Sequence, residues 1–532
     1  MAVCVVQEKD PLMRRVALVG LDGASLEMLE GFARVGVMPN LAAVLKSGGR
    51  APLRSTIPMY TIPSWTTCFT GVDPGRHEVL YWRQGWPALP WKDDSQQPFS
   101  YLPFGRFPML WDAVEALGGT ATCLDIPLGY PAPELRGSFS GGLLAIADSS
   151  NLCSPPDLVD DYEGWLPEVV KTATSQELRR DAAGSASFIR ALTHQTALRR
   201  RFLADRDPGG DLLCLVNATP DRLSHLDWEP LRRLAETGEG SAELIACWRE
   251  LDGLIGDARD WAGRDGTLIM VSDHGSGVGP YLSVGRWMVE RGFLRSIPAR
   301  AYRAERAVRS VLPGGAGRWL GKQVRRIRGT PSEMPATVAK TEDEVWPVDL
   351  DYRACYLFVH PEVDEARKAQ LLTEITSTMA EGVGLPPGQA AIVEVLSGAD
   401  LFPGRHEAVV PDLVFLPRDD WILSTDWSRP VVSDSDGEAA HHRTGIVIAS
   451  GPDVDGGLHE PADMIDVYPT VLAAMDHRAP AHATGERIEW IASEARGEAP
   501  RVDLAAYRSH EPVSVAETRE LEAHLRALGY ID

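Results

Sequence analysis

Four short apolar runs, each lying beside an acid or an imidazole, constrain this chain more than any other feature. Residues 16–21 lead into Asp22, and residues 212–216 are followed shortly by Asp221 and His225. Residues 268–271 lead into Asp273 and His274, while His441 and His442 stand just before the run 446–449. Apolar runs of this length bounded by polar residues read as buried strands of a parallel sheet. Such sheets gather ligands outside the carboxyl ends of their strands. Carboxylates and imidazoles collected there predict a metal site, and one for two metals. The chain reads as a hydrolase.

Between these runs, from residue 15 to about 293, the pattern alternates strands with helical segments. The expected fold is therefore α/β, a doubly wound central sheet sandwiched by helices, with a helical insertion. Residues 24–35 are helix-like, 39–46 open with Pro at a helix start, and 188–203 form a long helical segment. The insertion begins near Ser296: Arg300, Arg303, Arg306, Arg309, Arg318, Lys322, Arg325, Arg326 and Arg328 face a single acid, Glu305, across 296–330. It reads as an amphipathic excursion with a solvated basic face, with a lid or a contact to acidic lipid as sharper alternatives. Strand signals return at 354–359, 391–395 and 412–416, and 466–475 reads as a helix with Pro in its first turn. The expected organisation is a discontinuous catalytic core, 1–295 with 346–500, around a basic helical insertion or lid at 296–345. A helical tail follows at 501–532, with a capping box from Ser514 to Glu517 and a stripe of Leu521, Leu525 and Leu528.

Composition narrows the class. Of 532 residues, 44% are hydrophobic and 24% charged, an ordinary globular balance. The net charge of −22 argues against a nucleic-acid polymer, which clustered Lys and Arg would attract. It leaves room for a small phosphate ester. Seven scattered cysteines do not make a disulfide framework. No stretch reaches the roughly 18 apolar residues of a membrane helix. Lys9, Asp10, Arg14 and Arg15 interrupt the start where a signal peptide would need an apolar core. The expected location is cytoplasmic.

The chemistry rests on spacing. Asp221 and His225, four apart, can converge on one ion from a single helical turn. Asp273-His274-Gly275 follows a strand, where the turn can bring both side chains onto an ion and the Gly gives the backbone room. Asp22-Gly23 repeats that pattern. Mixed oxygen and nitrogen ligands suit zinc or manganese. The Thr-rich segment 61–71 supplies a hydroxyl nucleophile, which binding to a divalent ion would activate. A helix starting just after Thr61 would aim its first amides at phosphate oxygens. The residues alone leave Thr61, Ser64, Thr66 and Thr67 as alternatives. Cys68 reads as a packed helix residue and His77 as structural.

Taken together and in this order, the set resembles the alkaline phosphatase superfamily, specifically its type I phosphodiesterase/nucleotide pyrophosphatase branch. That branch carries a T-F-P-N-H-Y-x-x-x-T-G segment, and Thr61-Ile62-Pro63 through Thr70-Gly71 fits it without a gap. His77 falls where relatives have P-x-x-H-G. The resemblance implies Thr61 as nucleophile and two divalent ions, zinc first and manganese next. One would be held by Asp22, Thr61, Asp273 and His274, the other by Asp221, His225 and a member of the His441-His442 pair. Relatives read H-x-x-x-G-I before the last strand, which implies His441, with His442 in reserve. The likeness runs from about Arg15 to Tyr530 and is weakest across the basic insertion.

Two departures bear on substrate. Ser64 replaces the segment's own Asn, and Trp82 stands where nucleotide pyrophosphatases carry an Asn that donates to a phosphate oxygen. Trp82 and Arg83 are therefore the expected substrate-binding residues. The implied reaction is hydrolysis of a small phosphate diester or pyrophosphate. Alternatives are a phosphomonoesterase of a small metabolite and a phosphotransferase to an acceptor other than water. A sulfatase is disfavoured, because no C/S-x-P-x-R motif surrounds the nucleophile, and a mutase would need a further domain.

Overall fold

The computed structural model describes residues 13–81, 89, 102, 106–142, 151–158, 160–162, 165, 181–206, 209–294, 343–349, 354–380, 391–402, 410–427 and 429–502. The basic insertion, Trp82, Arg83 and the helix expected from the 514–517 capping box lie outside them. Two compact units result, one comprising 1–82, 99–277 and 441–531, the other 83–98 and 278–440.

The first unit is built on a ten-stranded mixed sheet. Its strands include β1 (Val16–Leu21), β2 (Gly49–Arg54), β3 (Ala121–Ile126), β4 (Ser138–Gly141), β5 (Cys153–Ser154), β6 (Leu212–Asn217) and β7 (Thr267–Val271). From one edge the order is Gly457–Leu458, β2, Thr444–Ser450, β7, β1, β6, β3, β4, β5, with Ala462–Asp463 also on β2. The central strands β1, β6 and β7 are buried at every position, as the uninterrupted apolar runs require when both faces are covered. Flanking helices provide the cover. Helix Ala242–Ala262 packs on β1 and β7, on helix Ala182–Arg206 and on α2 (Pro39–Ser47), while α1 (Leu26–Arg34) packs on helix Trp228–Thr237. Among the described residues no single helix is long and apolar enough to cross a membrane.

Two strands depart from the parallel expectation: β5 runs antiparallel to β4 at one edge, and the second departure bears on the site. β1 runs parallel to β6 and to β7, but Thr444–Ser450 runs antiparallel to both β7 and β2. The beginning of that strand therefore lies at the edge where β1, β6 and β7 end. Asp22, Asp221 and Asp273-His274 follow their strands, whereas the His441-His442 pair precedes its own. Reversal of one strand brings both arrangements to the same edge. Ser272 fastens the junction: its buried hydroxyl donates to the Ala24 carbonyl at 2.9 Å and accepts from the Ile446 amide at 2.9 Å.

In the second unit the strand signals at 354–359, 391–395 and 412–416 form a sheet of their own, joined by Val345–Asp349, which the sequence reading did not include. Val345–Asp349, Cys355–Val359, Leu413–Pro417 and Ile392–Ser397 pair antiparallel in that order. Helix Glu365–Ala380 lies between its second and third strands in the chain. A three-stranded sheet joins Tyr281–Ser283 to Ile422–Ser424 and Val432–Ser433.

Ser272→Ala leaves the Ile446 amide buried and without its acceptor. It should cost about 1–3 kcal/mol, read as a lower urea midpoint of the first unfolding transition.

Candidate metal centre

Asp22 is the first residue past β1, and its carbonyl accepts from the Asp221 amide at 2.9 Å. Gly23 then turns the chain at φ +68°, where a Cβ would lie 2.8 Å from that of Asp221. Only glycine lets the two strand ends approach this closely. Asp221 occupies the first turn of helix Thr219–Leu226, with Pro220 at its start. One turn later His225 brings Nε2 to 3.2 Å from Asp221 Oδ1. His441 Nε2 lies 3.6 Å from that oxygen and 3.1 Å from His225 Nε2.

A second convergence centres on His274. Its Nδ1 donates to the Gly275 carbonyl at 3.0 Å, which leaves Nε2 as the ring's lone-pair nitrogen. That nitrogen is 3.2 Å from Thr61 Oγ1, 3.2 Å from Asp273 Oδ2 and 3.7 Å from Asp22 Oδ1. Asp273 is fixed through its other oxygen, which accepts from the Gly23 amide at 3.1 Å. Asp22 is likewise fixed through Oδ2, which accepts from the Trp65 indole at 3.1 Å. The His274 and His441 rings stack with centroids 3.7 Å apart, so the two convergences adjoin.

These distances fit metal ions. An ion held tetrahedrally at about 2.0–2.1 Å separates its ligand atoms by roughly 3.3–3.4 Å. Among the described residues two groups of side chains meet the geometric requirement: Asp221, His225 and His441, and Asp22, Asp221 and His274. Asp221 belongs to both, a sharing that the expected ligand sets did not include. The oxygens themselves make the stronger case. Asp22 Oδ1, Asp221 Oδ1 and Asp273 Oδ2 are buried without a sound hydrogen bond among the described residues, and each is the one facing an imidazole. Buried carboxylate oxygens left bare are costly unless a cation meets them.

Electrostatics carry the same message. Burial pushes the Asp22 carboxyl well above the usual range, and the Asp273 and Asp221 charges add to the push. Burial also raises Asp273, against the pull of the Gly23 amide. Burial works on Asp221 as well, yet His225, His441 and His274 together hold it below the ordinary carboxylate value. His225 is raised: burial disfavours its cation, and the Asp221 charge outweighs that. Without a metal, protons take the place of positive charge.

Helix α3 (Thr61–Thr70) carries the hydroxyls, and their partners distinguish them. Ser64 donates to the Asp273 carbonyl at 2.8 Å and Thr66 to the Ile62 carbonyl at 2.8 Å. Thr67 pairs with His77 Nε2 at 3.0 Å, while His77 Nδ1 accepts from the Val79 amide. Thr61 alone of the four has its hydroxyl against an imidazole of the metal groups. Cys68 is buried, and burial pushes its thiol up. His442 falls in neither group; a Cβ on Gly277 would meet its Nε2 at 2.4 Å, so it lies against the short strand β8 (Gly275–Gly277). Trp65, which donates to Asp22, is the neighbour of the site that spacing alone did not single out. Two signals were available: it lies four residues beyond Thr61, on the same helix face, and β1 has Gly20 two residues before Asp22.

The described residues thus make a mixed sheet flanked by helices, with acids and imidazoles gathered along one edge. The family model described as Type I phosphodiesterase / nucleotide pyrophosphatase matches residues 16–445, and the chain belongs to that family of hydrolases. Phosphonoacetate hydrolase from Sinorhizobium meliloti 1021, solved with phosphonoformate, superposes with a TM-score of 0.53 at 15% identity, over 87% of this chain and 96% of that one. Its complex with phosphonoacetate gives 0.52 at 14% identity, with the same coverage. Murine ectonucleotide pyrophosphatase / phosphodiesterase 5 aligns with a TM-score of 0.46 at 14% identity, over 87% and 95%. No curated protein matches the chain in sequence.

The raised groups define a pH signature. Asp22, Asp273 and His225 hold protons more tightly folded than unfolded, so their contribution to stability is full at low pH and is lost as pH rises through their folded values. Asp221 acts oppositely, but only at the acid end. Between about pH 5 and pH 8 the metal-free protein should therefore lose melting temperature, and saturating Mn2+ should restore more at the upper end, where its ligands are deprotonated. A scanning-fluorimetry series with and without metal checks this.

Proposed function

We propose that this chain hydrolyses a small phosphate diester or pyrophosphate with two divalent ions, zinc or manganese, through a phospho-threonine at Thr61. The observation that carries the reading is the Thr61 hydroxyl, 3.2 Å from His274 Nε2 at the first residue of α3. Asp22, Asp273 and His274 with Thr61 would hold one ion, and Asp221, His225 and His441 the other, with Asp221 able to serve both. Bound there, the ions would ease deprotonation of the Thr61 hydroxyl and of water, and neutralise charge on the phosphoryl oxygens.

The side chains' own work follows from their placement. The His274 tautomer, set by its bond to the Gly275 carbonyl, keeps the ring nitrogen nearest Thr61 free of a proton. Ser64 ties the first turn of α3 to the Asp273 carbonyl, so nucleophile and carboxylate keep one geometry. The first amides of α3 have no acceptor within the helix and suit phosphoryl oxygens. Thr61 Oγ then bonds to phosphorus as the leaving oxygen departs with its electron pair. The phosphorus keeps its second ester group, so water subsequently cleaves a Thr61 phosphodiester, returning the hydroxyl and releasing a phosphate monoester. The substrate is a small phosphorylated molecule; Trp82 and Arg83 are the residues to test for the leaving group.

Thr61→Ala should retain two ions and lose turnover by at least about 10³-fold, with Thr61→Ser intermediate. Mass spectrometry of acid-quenched wild-type enzyme should find the substrate's esterified phosphoryl group on the peptide carrying Thr61. Appreciable activity in Thr61→Ala would overturn the nucleophile. A kcat/KM ratio for aryl diester over monoester well below one would make the enzyme a monoesterase. Transfer to added alcohol in preference to water would make it a phosphotransferase.

A further inference from the structure

The two oxygens of Asp22 have different surroundings, and Trp65 makes the difference. Oδ2 accepts from the indole Nε1–H at 3.1 Å, while Oδ1 is buried, faces His274 and has no hydrogen bond among the described residues. The indole cannot easily leave. Trp65 has no exposed surface and stacks on Phe69 with ring centroids 5.7 Å apart. On its other side it occupies the space left by Gly20, where a Cβ would come within 2.4 Å of the ring. Gly20 and Asp22 project to one face of β1, so the ring that fills the glycine's space also reaches the carboxylate. The fit is mutual: Gly20 admits the indole, and the indole orients Asp22.

We propose that Trp65 is a positioning residue that makes Asp22 a single-atom ligand. With Oδ2 engaged, Asp22 offers only Oδ1 to an ion and is held from swinging to a two-oxygen grip. This would set the geometry of the ion shared with His274 and Thr61, and leave the ion of His225 and His441 untouched. The inference rests on the two-metal reading above, and its failure is separable from that reading's failure. Partners that orient a ligand are worth about 10–100-fold in metal affinity.

The test is calorimetric titration of Mn2+ into the metal-free full-length protein. Wild type should bind two ions in resolvable steps, and Asp22→Ala identifies the step that involves Asp22. Trp65→Phe keeps the stack on Phe69 and loses the N–H. It should weaken that step 10–100-fold and leave the other within twofold. β-(3-Benzothienyl)alanine at position 65 keeps the bicyclic shape without the donor. It should behave as Trp65→Phe does, and it carries the test should the Phe variant not fold. Unchanged affinities at both sites with this residue, or an equal loss at both, would overturn the positioning role. Binding of fewer than two ions by wild type would instead overturn the two-metal reading itself.

Discussion

Three carboxylates buried together are the constraint on which the rest of the first unit depends. Asp22 and Asp273 closely follow their strands and Asp221 stands in the helix turn after β6, and each turns one oxygen toward an imidazole with no hydrogen bond among the described residues. Like charges at this spacing repel strongly, because burial lowers the dielectric around them. The arrangement persists because each acid is gripped at its other oxygen or by its helix, and because a cation can supply what the protein withholds. Stability and chemistry are thus set against each other at one edge of the sheet.

The grip is what distinguishes this site from a chance cluster. The Gly23 amide holds Asp273, the Trp65 indole holds Asp22, and the Gly275 carbonyl holds the His274 tautomer. Each contact is backbone or fully buried aromatic, so little side-chain freedom remains to be lost when a ligand binds. The nucleophile shares this rigidity, since Thr61 and Ser64 sit in the first turn of a wholly buried helix whose serine is tied to the Asp273 carbonyl. A preorganised site of this kind supplies orientation before substrate arrives.

Much of this was legible in the chain. Apolar runs ending in acids identified the strands β1, β6 and β7, because full burial on both faces leaves no polar position to break the run. Four-residue spacing identified Asp221 with His225, because one helical turn brings them to the same face. Less legible was Asp221's place in both groups, which depends on how closely β1 and β6 end, and hence on the φ of Gly23. The choice of His441 over His442 is a matter of which side a residue takes on a short strand, and an error of one residue reverses it. The signals at 354–359, 391–395 and 412–416 were read correctly as strands, but Val345–Asp349 was not, and nothing local to them says that they form a separate antiparallel sheet.

The sequence by itself determined the local pieces: which segments are strands, where helices begin, and which acids, imidazoles and hydroxyls stand at their ends. These follow from burial periodicity and capping, which act over a few residues. Only the tertiary structure decided which pieces meet. The reversal of Thr444–Ser450 brings a histidine that precedes its strand beside residues that follow theirs. The indole of Trp65 reaches Asp22 because a glycine forty-five residues earlier leaves it room. Such meetings depend on long-range packing, where the direction of a strand or the absence of one methyl group decides the contact, and no local pattern carries that information.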